Sequence, residues 1–331
     1  MTELVAVKQG SSTGSPPWTV TRDGSRVPGL DGVERMAAIE TGLYGNPRCR
    51  LLEANEPESA VLTALSTVHD DVYVRFLDRL ATNFDAREAE LLEEWSAPGV
   101  PADTPIFGGS ALAARAAFGT AVAAALQVVA GAEVVYGLCR PPGHHAGPRW
   151  MGGYCYLNNA AAAAVTLLDA GFGEVGILDL DFHYGNGTAA IAAQLDGVHF
   201  ESLHASTTDH FPWQTCSPLD SRQRLVEFRR PPSSGEYLSA VDQSLDRLGL
   251  SCDVLVVSLG YDTVAGDPHG DWDLNPSVFG AIGGRLLRTG LPICVIQEGG
   301  YAYPLLGPCA QAFAAGITGS GVSQRPTISS A

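Results

Sequence analysis

The segment VGILDLDFHYGNG, residues 175–187, joins an apolar run to a dense group of polar side chains. Its first part, Val175–Leu180, has the short and continuously apolar pattern of a strand buried on both faces of a parallel sheet. Asp181 and His183 follow directly, and burying ionisable groups at this density without a cation would be costly. The segment therefore predicts a buried parallel strand that ends at a candidate functional site.

Apolar runs of the same kind recur along the chain and alternate with helical patterns. The further predicted strands are Glu133–Leu138, Val198–Leu203, Val254–Leu259 and Ile293–Gln297. The predicted helices include Ala160–Ala170, which Asn158 or Asn159 can cap, Gly235–Leu248 and Pro276–Arg288. This alternation predicts an α/β fold in which helices flank both faces of a central, mainly parallel sheet.

The chain is long enough for one large core, because 45% of its 331 residues are hydrophobic. It has no internal repeat, low-complexity linker or obvious boundary, so we predict a single domain over residues 1–331. Much of 1–30 is rich in Gly, Ser, Pro and Thr, and we predict an N-terminal loop or arm there and a flexible tail over 319–331. The Ala-rich stretch Ala111–Ala130 is interrupted by polar residues and predicts a buried helix rather than a membrane span.

Charge and cysteine usage restrict the partners of the protein. Twenty Lys and Arg residues against 36 Asp and Glu residues give a net charge of −16, which repels nucleic acid phosphates. The seven cysteines have no paired spacing, and the N-terminus lacks the basic and apolar pattern of a signal peptide. We therefore predict a cytoplasmic protein without nucleic acid or membrane partners, and a homo-oligomer is compatible with the sequence.

Each predicted strand leads into chemically capable residues. The predicted strand Glu133–Leu138 is followed by Arg140-Pro141-Pro142-Gly143-His144-His145. Val254–Leu259 is followed by Tyr261-Asp262, and Ile293–Gln297 by Glu298-Gly299-Gly300-Tyr301. In open parallel α/β sheets the ligand site lies at the carboxyl ends of the strands. Polar groups after so many strand ends therefore indicate one active-site rim.

Asp181, His183 and Asp262 are candidate metal ligands. Positions i and i+2 of an extended segment share a face, so Asp181 and His183 can meet one ion, and Asp262 can complete the set. Two carboxylates and an imidazole suit zinc, and also ferrous iron or cobalt, with a position left open for water and substrate. An Asp-x-His pattern alone is weak and is more often structural. Gly185-Asn186-Gly187-Thr188 lacks the lysine of a phosphate loop, so we exclude nucleotide binding.

Four blocks in order resemble the histone deacetylase and acetylpolyamine amidohydrolase superfamily. They are Arg140–Ala146 with Gly152–Ala160, then Asp179–Gly187, Ser258–Thr263, and Glu298–Tyr301. The first block is most similar to the class II deacetylases and their bacterial relatives. The resemblance implies an arginase/deacetylase-like fold and a zinc-dependent amidohydrolase. Such an enzyme hydrolyses an N-acyl amide to a free amine and a carboxylate.

The resemblance also implies roles for individual residues. Zinc would be bound by Asp181, His183 and Asp262, and a structural potassium would lie near Asp179, Asp181, His183, Ser202 and Leu203. The catalytic set would be His145 as general base and acid, His144 as electrostatic partner, Tyr301 as donor to the scissile carbonyl, and Asp179 and Asn186 behind the two histidines. The substrate would contact Gly153, Tyr154, Phe211, His269 and Asp103.

The sequence departs from the family pattern at His269, where relatives usually carry an apolar residue of the substrate channel. The histidine either makes that wall polar or faces solvent in a loop. The substrate remains open between an acyl-lysine protein, an acetylpolyamine and a small N-acyl metabolite. The alternatives are an amidohydrolase of specialised metabolism that acts on one pathway intermediate, and a non-catalytic protein that binds acylated ligands.

Overall fold

The computed structural model describes residues 2–10, 14–83 and 89–320. Its strands are β1 Leu4–Lys8, β2 Trp18–Val20, β3 Arg26–Pro28, β4 Cys49–Glu53, β5 Ala89–Glu90, β6 Ile106–Phe107, β7 Val134–Leu138, β8 Val175–Asp179, β9 Val198–Ala205, β10 Gln223–Phe228, β11 Val254–Leu259 and β12 Ile293–Gln297. Its helices are α1 Val33–Tyr44, α2 Glu58–Val68, α3 Asp71–Asn83, α4 Ser110–Val129, α5 Asn159–Asp169, α6 Asn186–Ala192, α7 Ser234–Ser251, α8 Pro276–Arg288 and α9 Tyr303–Ile317.

Eight of these strands form one sheet in the order β10-β9-β8-β11-β12-β7-β1-β4, and every pair in it is parallel. The central strands β7, β8, β11 and β12 are buried along their whole length. Parallel strands covered on both faces read as continuous apolar runs, which explains why the sequence pattern found them. The predicted α/β class and the single domain are confirmed.

The two faces of the sheet pack against different helices. Alternate residues of each strand point to opposite faces, so Val5 and Val7 join one core while Leu4 and Ala6 join the other. Helices α2, α4, α5 and α6 cover the first face, and α1, α7, α8 and α9 cover the second. By length and composition α4 could cross a membrane, yet 67% of its most apolar window is buried inside the domain.

The predicted N-terminal arm is wrong at two places. Leu4–Lys8 forms β1, an inner strand between β7 and β4, because its apolar side chains can fill both cores. Farther along, Trp18–Val20 and Arg26–Pro28 pair as an antiparallel hairpin. The prediction was based on the Gly- and Pro-rich part of 1–30. The five residues of β1 are too few to reveal the hydrophobic periodicity of a strand.

Other predicted boundaries agree with the structure to within a few residues. Strands β11 and β12 and helix α8 begin and end where predicted, and the side chain of Asn158 caps α5 by accepting the Ala161 N–H at 2.9 Å. Strand β9 runs on to Ala205. Of the predicted tail, Ser320 donates its N–H to the Ala315 carbonyl at the end of α9, and 321–331 lie outside the described residues.

Candidate active site

Asp181, His183 and Asp262 meet at the carboxyl ends of β8 and β11. One ligand atom from each lies within 4.8 Å of the other two. Nδ1 of His183 is 3.3 Å from Oδ1 of Asp181 and 3.2 Å from Oδ2 of Asp262. The space around the carboxylates is tight, because a Cβ on Gly260 would lie 2.1 Å from Oδ2 of Asp181. The structure therefore brings the three predicted ligands together.

The charges of this cluster suit a cation. Burial and, second to it, repulsion by the neighbouring Asp181 carboxylate raise the pKa of Asp262 to about 7. Burial alone would lower the pKa of His183, but hydrogen bonds and charge interactions with Asp181 and Asp262 raise it to about 9. The two buried carboxylates carry more negative charge than the single imidazole between them can neutralise. A divalent ion bound by two oxygens and one nitrogen would balance this charge.

The tandem histidines stand beside this cluster in different environments. Nδ1 of His144 contacts Oδ2 of Asp179 at 3.0 Å, and Nδ1 of His145 contacts Oδ1 of Asn186 at 2.8 Å. Burial alone would lower the pKa of His144, but Asp181 and Asp179 raise it to about 10. Burial and the two neighbouring histidines hold the pKa of His145 well below its ordinary value. The pair thus offers one charged imidazole and one neutral base.

Glu298, which follows β12, positions the histidine segment from behind. Its Oε2 accepts the N–H groups of Gly143 at 2.7 Å and His144 at 3.1 Å, and its Oε1 accepts the hydroxyl of Ser258 at 3.0 Å. Burial raises the pKa of this carboxyl to about 7. Its role could not be derived from the sequence, because its partners are backbone amides from another part of the chain.

Tyr301 is buried and held by two residues distant in sequence. Asp267 accepts the Tyr301 N–H at 2.6 Å, and Arg35 places its guanidinium carbon 4.6 Å from the centre of the phenol ring. Arg35 also donates to the carbonyls of Gly300 and Glu298, both at 2.7 Å. Burial holds the pKa of Tyr301 well above its usual value, so the phenol keeps its proton and can donate a hydrogen bond.

The metal cluster, the tandem histidines and Tyr301 line one cavity of about 280 Å³. Its lining also includes each predicted substrate-contact residue, namely Asp103, Gly153, Tyr154, Phe211 and His269. Both carboxylate oxygens of Asp103 accept the Gly153 N–H, at 3.1 and 3.0 Å, and the Phe211 ring packs edge-on against His145. Tyr154 adopts a positive φ of 68°, which turns its ring into the cavity wall.

The sequence also matches a family model described as the histone deacetylase domain, over residues 32–317. The chain belongs to the histone deacetylase family. Its match covers the blocks that carry every residue of the metal cluster, the tandem histidines and Tyr301.

Family members of known name resemble the chain over most of its length. Acetylpolyamine amidohydrolase 1 of Pseudomonas aeruginosa is 34% identical over 73% of this chain and 79% of its own length. The acetylpolyamine amidohydrolase of Mycoplana ramosa is 33% identical over 74% and 80%. A solved structure of acetylpolyamine aminohydrolase from Burkholderia pseudomallei superposes with a TM-score of 0.85 at 27% identity, covering 96% of this chain and 98% of that one.

His269 lines the cavity of this histone deacetylase family member. Its ring lies perpendicular to that of Tyr301, with centroids 4.7 Å apart, and Nε2 is 3.2 Å from the Tyr154 hydroxyl. The β2–β3 hairpin also contributes Thr19, Val20 and Arg22 to the lining of the cavity. His269 is half-buried in a loop and lines the cavity, so its place in a substrate channel stays a prediction.

The residues predicted around potassium lie on two adjacent strands or, for Asp181 and His183, just after the first of them. Asp179 of β8 and Ser202 of β9 are register partners, and Leu203 follows on β9. Oδ1 of Asp179 accepts the Asp181 N–H at 3.1 Å, while the Ser202 hydroxyl contacts Nδ1 of His204 at 2.9 Å. A potassium ion among these residues stays a prediction.

Proposed function

We propose that this protein is a zinc-dependent amidohydrolase that cleaves an N-acyl amide, most simply an N-acetyl amide, into a free amine and a carboxylate. The observation that carries the proposal is the convergence of Asp181, His183 and Asp262 beside two histidines whose Nδ1 atoms contact Asp179 and Asn186. The acetylpolyamine amidohydrolases among its relatives support the same chemistry.

Asp181, His183 and Asp262 would hold the metal. Their oxygen and nitrogen atoms suit zinc, and ferrous iron or cobalt would also fit this donor set. When bound, the ion supplies Lewis acidity that polarises the amide carbonyl and makes water a stronger nucleophile. Potassium, coordinated by groups from Asp179, Asp181, His183, Ser202 and Leu203, would stiffen the segment that carries the ligands.

His145 acts as the general base in this mechanism. Asn186 can accept a hydrogen bond only through its side-chain carbonyl oxygen, so the proton of a neutral His145 lies on Nδ1. Nε2 of His145 is then unprotonated and free to take a proton from water. The same nitrogen then returns that proton to the leaving amine. His144 remains charged beside Asp179 and stabilises the negative charge that develops during the attack.

Tyr301 completes the site by donating a hydrogen bond from its phenol to the scissile carbonyl oxygen. A buried donor that is already oriented binds the oxygen more strongly as it becomes anionic, which lowers the barrier of the chemical step. Asp103, Gly153, Tyr154 and Phe211 would guide the amine stem along the channel. Every group that the mechanism needs is present, which favours catalysis over passive binding of an acylated ligand.

The substrate is an acyl-lysine residue, an acetylpolyamine or a small N-acyl metabolite, and the names of the relatives favour the acetylpolyamine. A specialised-metabolism substrate is a second candidate, because the polar His269 lines the channel. We place the enzyme in the cytoplasm, since all seven cysteines are free, and expect neither nucleic acid nor membrane partners.

A hydrolysis panel tests the proposal. Acetylated polyamines, acetyl-lysine peptides and longer acyl amides are assayed with zinc-loaded, cobalt-loaded and chelator-treated protein. We expect hydrolysis of at least one acetyl amide, loss of activity on metal removal, and a decrease of about 10²- to 10³-fold in kcat for Tyr301→Phe, which loses one donor to the oxyanion. Fully metal-loaded protein that cleaves no member of the panel would contradict the proposal.

A further inference from the structure

His69, which directly follows α2, is a buried histidine that does not line the active-site cavity. Only 3% of its surface is exposed. Its Nδ1 lies 2.9 Å from the Gly147 carbonyl oxygen, and its Nε2 accepts the N–H of Asn158 at 3.0 Å. His69 therefore joins α2 to two backbone sites that lie 78 and 89 positions farther along the chain.

These two contacts fix the tautomer of His69, because each backbone partner has a single role. A carbonyl can only accept, so Nδ1 carries the proton toward Gly147, and an amide can only donate, so Nε2 presents its lone pair to Asn158. Burial lowers the pKa of His69 to about 4, which keeps the ring neutral. The imidazole thus acts as donor and acceptor at the same time.

Gly147 begins a turn that follows the tandem histidines. Asp70 also holds this turn, since its N–H donates to the Pro148 carbonyl at 2.7 Å. The N–H of Gly147 donates to the Trp150 carbonyl at 3.1 Å, and a Cβ on Gly147 would lie 2.0 Å from the Trp150 ring. The Trp150 indole N–H donates in turn to the carbonyl of His145 at 3.1 Å. A shift of Gly147 must therefore move the indole that holds the backbone of His145.

Asn158 gives His69 a second path to the same segment. While its N–H donates to His69, its Oδ1 accepts the Ala161 N–H at 2.9 Å, which caps α5. Its Nδ2 donates to the carbonyl of Ala146, the residue after His145, at 2.9 Å. The backbone that directly follows His145 is thus supported by His69 through two routes.

The part of the same loop that lines the substrate side of the cavity is fastened by other residues. The N–H of Met151 donates to the Trp95 carbonyl at 2.8 Å, and the N–H of Tyr154 donates to the Thr104 hydroxyl at 2.8 Å. Neither bond involves His69. A change at His69 should therefore disturb the backbone of the tandem histidines before it disturbs the substrate channel.

We propose that His69 is a positioning residue for the general base: by holding the Gly147 carbonyl, it fixes the backbone from which the His145 imidazole reaches the reacting water. The proposal rests on the proposed amide hydrolysis, in which His145 takes and returns the proton. A base must lie within hydrogen-bond reach of the proton that it moves, and misplacement by about 1 Å can cost on the order of 100-fold in rate. His69 thus acts on kcat without touching the substrate.

Two conservative substitutions separate the contacts of His69. The amide N–H of Asn lies near the place of Nδ1, so His69→Asn keeps a donor for the Gly147 carbonyl and loses the acceptor for Asn158. The amide of Gln lies near the place of Nε2, so His69→Gln keeps the acceptor and loses the donor. Steady-state kinetics is measured on protein of verified metal content. We expect kcat to fall on the order of 10-fold in His69→Gln and by less than about 3-fold in His69→Asn, with KM retained in both.

The control for the loss of a buried hydrogen bond is Asn46→Ala. Asn46 is buried and precedes β4, at the edge of the sheet opposite the active site, and its Nδ2 donates to the Thr318 hydroxyl at 3.0 Å. Chemical denaturation should show that Asn46→Ala is destabilised at least as much as His69→Gln, while its kcat stays within about 2-fold of the wild type.

The ring nitrogens of His145 give a readout that does not need catalysis. In nitrogen NMR spectra of zinc-loaded protein with isotopically labelled histidine, the His145 signals are identified by their loss in His145→Ala. They should shift in His69→Gln, whereas the signals of His210 should not.

Unchanged His145 signals in His69→Gln, equal kcat losses in the Asn and Gln variants, or an equal loss in Asn46→Ala would each overturn the inference. If the wild-type protein cleaves no amide, the hydrolase proposal fails, while the NMR signals still decide whether His69 positions His145.

Discussion

The floor of the cavity and its outer wall are built from different kinds of structure. Asp181, His183, Asp262 and Tyr301 follow the ends of buried parallel strands, whereas the outer wall includes the β2–β3 hairpin and the loops that carry His210 and His269. Strand ends are fixed by register on both sides, and loops vary without disturbing the sheet. The comparison teaches that the chemistry rests on the regular part of the fold and selectivity on the irregular part.

Two arginine–aromatic contacts illustrate the same difference. In the floor, Arg35 is completely buried against Tyr301 and pairs with Asp31. In the hairpin, the exposed Arg26 lies 4.1 Å above the ring of Trp18. Both are cation–π contacts, but the first is desolvated and bound to backbone carbonyls, and the second remains in water. The floor contact should therefore be the stronger of the two.

The largest effect should come from the base in the floor. His145→Ala removes the group that moves the proton, and kcat/KM should fall by about 10²- to 10⁴-fold. The measurement is steady-state kinetics on protein whose metal content has been verified. His210→Ala, a histidine of the outer wall, should cost less than about 10-fold. Equal losses in the two variants would contradict the division between floor and wall.

Arg35 and Arg26 should contribute very different amounts to the free energy of unfolding. Arg35→Met leaves Asp31 buried without its closest ion-pair partner, so the free energy of unfolding should fall by about 3 kcal/mol or more. Arg26→Met removes an exposed contact and should cost less than about 1 kcal/mol. Chemical denaturation of both variants checks the contrast. A small loss for Arg35→Met would mean that the buried guanidinium contributes little.

The pH profile tests the partner of the base. Because the pKa of His145 lies well below 6.5, the imidazole is neutral, and activity should persist to acidic pH. Asn186→Asp places a carboxylate on Nδ1, which raises the pKa of His145, so the acidic limb of kcat/KM should move up by about one pH unit. An unchanged or lower limb would argue against His145 as the titrating base.

The smallest effect is expected in the hairpin. Thr19→Val keeps the shape of the side chain but removes the hydrogen bond to the Asp103 carbonyl, worth about 1 kcal/mol. Since Asp103 lines the outer channel, KM should rise by about 5-fold while kcat is retained. Thr21→Val is the control, because the Thr21 hydroxyl contacts Asp23 and the Ser25 carbonyl of the same exposed hairpin and not Asp103. Similar KM values for both variants would show that the Thr19 hydroxyl does not support the wall.

The sequence revealed the residues of the floor because their spacing carries geometric information. Asp181 and His183 stand two apart in an extended segment, and Asp262 and Tyr301 each follow an apolar run. A parallel sheet places such strand ends on one edge, so proximity follows from the fold class alone. This is why the metal cluster, the histidines and the tyrosine could be assembled before any coordinates.

The supporting residues could not be found in this way. Arg35 lies in a helix and contacts backbone carbonyls 263 and 265 positions away, so nothing in its local pattern indicates a role beside Tyr301. The hairpin lies in a Gly-, Ser- and Pro-rich region that predicts only irregularity, and its position depends on the long-range bonds of Thr19 and Val20 to Asp103. Contacts between distant loops leave no periodic signal.

The placement of β1 has a consequence for how the protein assembles. Leu4 is in register with Val134, and Lys8 with Leu138, so this strand cannot complete its pairing until a partner far along the chain has been synthesised. Contacts of such large sequence separation slow folding, since a long loop must be ordered before they form. One edge of β1 can pair early with β4, but its other edge stays open until β7 is available, and until then its apolar residues must remain shielded from other chains.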